Sequence, residues 1–404
     1  MYRVLPPYWN LKEFSQIFKK TILGEVIEGN EIKLFKEELS KVLGTPNIEL
    51  TSSGRTAIYI ALSSLDLDRD TEVIVPSFIC EEAIRPILQK GLKLRFVDIK
   101  EDLTIDPEGI IENMNSSTRI ILMPHVYGKI CDYKEIKRTV EENGLVLIDD
   151  AAPVLGYYIN GKPLGSFGDF GIYSMNYKAL YSIYGGAITY KEEYKDKIGN
   201  LMEKKANQNA RNLVKLGFFM CGSRVGYKFS KYNSRLYALT VNKTFKKSFK
   251  KFKDISIEGM SNITASIGLI QLKKHKEILK KRVENSKVIE DILEDDDYVK
   301  IVKSKNDFYV RFVIQIDEEV PLKARKNPGI KWEKLTNFRE YLFKKRIETL
   351  PVYTPIHLNF LKMPIDLATT EELWRKCIII PNNPLYSEED MKYIGEAIKK
   401  YEGE

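Results

Sequence analysis

The chain has 404 residues, 43% hydrophobic and 30% charged, and a net charge of +8, which suits a soluble globular protein long enough to bury a large core in two domains. No apolar run approaches the roughly 18 residues of a membrane span, and Met1 to Lys20 carries charges and prolines where a signal peptide needs an apolar stretch, so a cytoplasmic protein is expected. Cys80, Cys131, Cys221 and Cys377 lack CxxC spacing and lie far from His125, His275 and His357, so neither a disulfide framework nor a structural metal site is expected.

Residues 1–45 read as short helices. The clearest is Glu31 to Leu43, where Ile32, Phe35, Leu39 and Val42 recur at helical spacing and Gly44 ends the run. From Asn47 onward strand-like and helical runs alternate: Asn47 to Thr51, Ala57 to Leu65, Glu72 to Val75, Glu82 to Gln89, Leu92 to Val97, Pro107 to Met114, Arg119 to Met123, Tyr133 to Glu142 and Leu145 to Ile148. The strands are apolar throughout instead of at every second residue, so the expected class is α/β, with a mainly parallel central sheet covered by helices on both faces. Ligands in such sheets sit at the carboxyl ends of strands, and the turns that follow should carry the chemistry.

Three turns stand out. Thr51-Ser52-Ser53-Gly54-Arg55-Thr56 precedes a helix; glycine allows close approach and the first helical amides are donors, so the turn suits a phosphate, although simple N-capping by Ser52 or Ser53 explains it equally. Ile148-Asp149-Asp150-Ala151-Ala152-Pro153 closes an apolar strand with two carboxylates, which need a partner if buried. Gly168 to Tyr190 places Lys178 between two strand-like runs, Phe170 to Tyr173 and Ala187 to Tyr190, with Ser174 and Asn176 before it and Gly185-Gly186 after it. A lysine on such a connection is either a solvated loop residue or an imine-forming nucleophile. The order of the three turns matches what pyridoxal 5′-phosphate requires: a phosphate cradle, an acid for the pyridine nitrogen, and a lysine for the aldehyde.

With Ser53-Gly54-Arg55-Thr56-Ala57, VIVPSF at Val73 to Phe78, His125-Val126-Tyr127-Gly128, Asp150-Ala151-Ala152, GSFGD at Gly165 to Asp169, Lys178, Gly185-Gly186 and the helix Ala265 to Leu272, the chain resembles the DegT/DnrJ/EryC1/StrS family of sugar aminotransferases over nearly its full length. The resemblance implies the fold type I architecture of pyridoxal-phosphate enzymes. It also implies Lys178 as imine-forming lysine and proton carrier, Asp150 as partner of the pyridine nitrogen, and Gly54, Arg55, Thr56 and Ser174 as phosphate ligands. Cys80 stands where members place an aromatic ring over the pyridine, and Pro153 where many have Gln. Arg55 reads as an insertion into the family's Ser-Gly-Thr turn. Implied with the fold are an active site at a homodimer interface, a keto-sugar substrate that is nucleotide-linked, glutamate as amino donor, and a place in cell-surface polysaccharide or glycoconjugate synthesis. Space for the sugar is expected near Tyr127, Tyr181 and Tyr184. Two other readings stay open: a regulatory or scaffold protein that lost turnover, and a sugar dehydratase, which the lysine at 178 matches less well than the histidine those members carry.

Between Lys204 and Lys253 stand 14 Lys or Arg and no Asp or Glu, more than the whole net charge, interleaved with aromatics from Phe218 to Phe252. Such a run suits an arm on a second subunit or an anionic membrane surface, which would make the protein peripheral there; nucleic acid is a poorer fit. The expected organisation is an N-terminal segment, 1–25, a large cofactor-binding domain, 26–268, containing this insertion, and a smaller α+β domain, 269–404. The last begins with a charged helix to about Leu293 and includes strands Tyr298 to Val302 and Phe308 to Ile316, a loop at Leu322 to Lys331, and helices around Phe338 to Arg346 and Ser387 to Lys400.

Overall fold

The alternating runs assemble into a seven-stranded sheet in the computed structural model of the chain, which describes residues 1–5, 7–176, 178–230 and 254–401. The strands are β1 (Ile48–Thr51), β2 (Glu72–Pro76), β3 (Lys93–Val97), β4 (Thr118–Pro124), β5 (Val146–Asp150), β8 (Phe170–Ser174) and β9 (Gly186–Tyr190), with a small hairpin of β6 (Tyr158–Ile159) and β7 (Lys162–Pro163) set apart. Their order is β1-β9-β8-β5-β4-β2-β3. All neighbours pair in parallel except at β9, which runs against both β1 and β8. β8 is buried at every position and β4 at all but Arg119, as strands covered on both faces must be.

Helices cover the sheet where their apolar spacing dictates. α1 (Leu11–Ile22) opens with a capping box of Asn10 and Glu13, and α2 (Glu31–Leu43) ends at Gly44, whose φ of 64° is the left-handed cap a β-carbon would penalise. α3 (Gly54–Ser63) buries Ala57, Ile58, Ile60, Ala61 and Leu62, and packs on α4 (Glu81–Gln89) and on strands β8 and β9. The basic segment begins as the helix Ala210–Ser230, which packs on α1; residues 231–253 of it lie outside the described residues.

A second core surrounds an antiparallel four-stranded sheet, in spatial order Val299–Ile301, Phe312–Ile316, Cys377–Ile380 and Leu350–Pro351. The helix His275–Leu293 joins the two cores, with Leu279 in the first and Ile289 and Leu293 in the second. Buried Lys129 pairs with Asp307 across the junction, and Tyr157 donates to the Phe308 carbonyl at 2.9 Å. The N-terminal segment is stitched to the second core as well: Arg3 pairs with Glu348 at 3.0 Å, and the Val4 amide donates to the same carboxylate. The stretch 322–331, expected as a loop, holds a short helix, Leu322–Lys326. Its cause is tertiary: Arg375 donates to the Ala324 carbonyl at 2.7 Å and Ala324 is buried in the second core, contacts with no local signature.

Candidate active site

Two adjacent carboxylates at the end of β5 take opposite directions because successive strand residues point to opposite faces. Asp149 turns into the interior. Its Oδ1 meets His125 Nε2 at 2.9 Å, and its Oδ2 accepts from the Gly165 and Phe167 amides at 3.0 and 3.1 Å. Burial opposes a charge on His125, yet the Asp149 carboxylate outweighs it and pushes the imidazole up to about 10. Asp150 turns the other way, accepting at Oδ1 only from the Ala152 amide among the described residues. Burial pushes its carboxyl up, and the Lys178 cation is the largest influence pulling it back.

Lys178 lies four residues beyond the end of β8, the strand paired beside β5, so the sheet itself brings the amine to the acid. The charge of Lys178 also acts on Cys80, at the cap position of α4, whose thiol burial pushes up and which therefore stays protonated. Lys178 belongs to no strand or helix. Its amide makes a 3.3 Å bond to the Leu180 carbonyl, and its own carbonyl accepts from Arg282 at 2.7 Å.

The start of α3 comes up against the same place. A β-carbon on Gly186 would stand 2.5 Å from the Gly54 nitrogen, and one on Gly54 would stand 3.2 Å from Ser174 Cβ, so only glycine at 186 lets β9 and the helix start meet beside Ser174. Ser53 caps the helix by accepting from the Thr56 amide at 3.2 Å, and the Thr56 hydroxyl bonds to Ser52 and Ser53 at 2.9 and 3.1 Å. The capping reading is what these hydrogen bonds show, with Ser53 as the cap. The guanidinium of Arg55 is engaged by Glu82 of α4, with its side chain 36% exposed, while Gly54 and Ser174, two others of the four residues read as phosphate ligands, lie against each other.

Residues far apart in the chain meet near Asp150 and the lysine turn. Tyr127, held at a φ of 59°, stacks on Tyr353 with ring centroids 4.9 Å apart and accepts at its hydroxyl from the Tyr353 amide. Burial raises the Tyr353 phenol well above its ordinary value, and its surroundings include Cys80, Arg311 and Asp150, which makes it a wall of this cleft. Tyr181, read as lining open space for a sugar, is instead 1% exposed, its hydroxyl accepting from Arg282 and Asn383; it belongs to the scaffold under the lysine turn, while Tyr184 is 42% exposed. Tyr353, Arg282, Arg311 and Asn383 carried no site assignment from sequence, since nothing local to them signals the chemistry 100 or more residues away.

These residues fit pyridoxal phosphate. The glycine-lined start of α3 leaves room for an anion at the positive end of a helix. Asp150 is a buried acid lacking a cationic hydrogen-bond partner among the described residues, as a protonated ring nitrogen would require. Lys178 is the amine that shares its site.

Comparison with known proteins places this geometry. Over 379 residues the chain is 23% identical to the GDP-perosamine synthase of Vibrio cholerae, covering 92% of this chain and 91% of that protein. It is 24% identical over 393 residues to the GDP-4-keto-6-deoxy-D-mannose 3-dehydratase of Escherichia coli O55:H7, covering 92% of each. Among solved structures, the aminotransferase TlmJ from Streptoalloteichus hindustanus superposes with a TM-score of 0.77 at 18% identity, over 99% of this chain and 98% of that one, which establishes the shared fold. The family model for the DegT/DnrJ/EryC1/StrS aminotransferases matches residues 11–399, and the chain belongs to that family.

Proposed function

We propose that this protein is a pyridoxal-phosphate-dependent aminotransferase that turns a nucleotide-linked keto-sugar into an amino sugar with glutamate as donor. The observation that carries the reading is the convergence of Lys178 and buried Asp150 at the ends of neighbouring parallel strands, beside the glycine-lined start of α3. Bound there, the coenzyme would supply an electron sink for the carbanion formed at the amino carbon. Lys178 Nζ takes the proton from the donor's α-carbon and returns one to the sugar carbon in the second half of the cycle. Asp150, held 7% exposed, would offer its carboxylate to the ring nitrogen of the bound coenzyme and so favour the protonated form of that nitrogen. The Cys80 thiol, near Lys178 and Asp150, and the stacked Tyr127–Tyr353 pair would border the bound coenzyme and limit water there.

The relatives support a sugar substrate, since those named above act on GDP-linked sugars by their names. A place in cell-surface polysaccharide or glycoconjugate synthesis, in the cytoplasm, accords with that class of substrate, and no helix among the described residues is long and apolar enough to cross a membrane. A homodimer accords with the outer face of α1, where Leu11, Phe18 and Ile22 are 82, 52 and 80% exposed beside Phe218 of the basic helix. We assign the basic run 204–253 to an anionic lipid surface on composition alone.

The test is the glutamate half-reaction. Incubation with glutamate should convert the visible band of the lysine-bound coenzyme to the near-ultraviolet band of its amine form, and Lys178→Ala should lack the first band. A panel of keto-sugar nucleotides, read by mass spectrometry, then separates amination from dehydration by whether the product gains nitrogen. A protein that binds the coenzyme and never forms its amine form with glutamate is not this aminotransferase.

A further inference from the structure

Arg282 lies 104 residues beyond Lys178, on the helix His275–Leu293 that joins the two cores, and is 1% exposed. Its Nη2 donates twice into the lysine turn, to the Lys178 carbonyl at 2.7 Å and to the Tyr181 hydroxyl at 3.0 Å. Its Nη1 is buried without a well-aligned hydrogen bond, the Tyr157 phenol and the Tyr181 ring, 5.5 Å from the guanidinium carbon, stand beside the group, and no carboxylate among the described residues forms an ion pair with it. As a contribution to stability this is a poor arrangement: a buried guanidinium without a carboxylate keeps its desolvation cost, and an apolar side chain of similar volume would fill the space without it. What an arginine adds here is reach and a planar fork that fixes two acceptors at once.

Those donations hold the lysine end of the turn, whose far end is anchored by the Ser182 amide on the Met175 carbonyl at 2.8 Å and by Trp9 Nε1 on the Tyr181 carbonyl at 2.7 Å. Lys178 stands outside the sheet, and the 3.3 Å bond between its amide and the Leu180 carbonyl is long for a main-chain anchor. The second core reaches the same point by another route. Asn383 Nδ2 donates to the Tyr181 hydroxyl at 3.2 Å, and Asn285, one turn along the helix from Arg282, donates to the Asn383 carbonyl at 2.8 Å. The helix therefore grips the lysine turn through Arg282 and the 383 turn through Asn285, and the two grips meet on one phenol.

We propose that Arg282 is a positioning residue, a strut that sets where the Lys178 amine stands and that transmits displacement of the second core to it through Tyr181 and Asn383. The proposal rests on the assignment of Lys178 as proton carrier, but its first test does not. In the coenzyme-free protein, the rate at which Lys178 is reductively methylated, followed residue by residue by mass spectrometry, should change several-fold in Arg282→Met and be partly restored in Arg282→Lys, with remote lysines unchanged. In the loaded protein, Arg282→Met should shift the pH midpoint of the visible band and slow the single-turnover glutamate half-reaction about tenfold or more, while the apparent affinity for glutamate stays within about twofold. Tyr181→Phe removes the phenol on which both grips meet and Asn383→Ala removes one of the two; both leave the Arg282 bond to the Lys178 carbonyl and should give smaller changes of the same sign, and they carry the test if Arg282→Met does not fold. Folded variants whose Lys178 labelling and band midpoint match the wild type overturn the strut. Altered labelling in a protein that never performs the half-reaction upholds the strut and refutes the aminotransferase reading instead.

Discussion

At the scale of single residues, the neighbours Asp149 and Asp150 are chemically identical in sequence and opposite in role. Asp149 has a charged partner and two amides, so Asp149→Asn should cost about 3–5 kcal/mol in chemical denaturation, because it places an amide donor among donors and strands buried His125. Asp150→Asn should stay within about 1 kcal/mol of the wild type, since burial already disfavours its charge, yet lose the glutamate half-reaction by roughly 100-fold or more. Equal destabilisation by both would contradict the division. His125 adds a pH signature. With its folded value pushed up from 6.5 to about 10, its contribution to stability is complete below about pH 6.5 and fades as pH rises toward 10. The stability gap between wild type and His125→Gln, measured from pH 6 to 10, should therefore narrow with rising pH.

At the scale of elements, the site is a meeting of one strand start, one helix start and one turn. Gly186→Ala puts a methyl group 2.5 Å from the Gly54 nitrogen, so β9 and α3 must separate. We expect a loss of about 1–3 kcal/mol in stability and at least a tenfold weaker coenzyme affinity, read by fluorescence titration of the coenzyme-free protein. An unchanged affinity would show that the cradle does not depend on that approach. The alternating apolar runs made these elements legible in advance, because a strand buried on both faces and a helix with one apolar stripe announce themselves over a few residues. The short helix Leu322–Lys326 did not, because a side chain 51 residues away, Arg375, holds it. The antiparallel course of β9 was equally silent: an apolar five-residue strand carries no mark of its direction.

At the scale of the whole molecule, two cores are held together by a bridging helix, the Lys129–Asp307 pair and the N-terminal segment, and the cleft takes residues from both. The basic run gathers the chain's excess positive charge into one stretch of sequence. If it meets anionic lipid at about 1 kcal/mol per cation, changing Lys246, Lys247, Lys250 and Lys251 to Gln should weaken sedimentation with anionic vesicles by roughly 100-fold or more at low salt, and the wild type should not sediment with neutral ones. Equal sedimentation with both vesicle types would dismiss that role. The amino-acid order alone determined the layered α/β class and the order along the chain in which Gly54, Asp150 and Lys178 follow their strands, because each rests on contacts within a turn or on strands whose succession the motifs fix. Only the tertiary structure decided that Arg55 is drawn to Glu82, that Tyr181 is buried against Arg282 and Asn383, and that Tyr353 stands near Cys80 and Asp150. The reason is physical: a guanidinium or a phenol reads the same on any exposed helix or loop, and it acquires a role when folding removes water and sets its partners within about 3 Å.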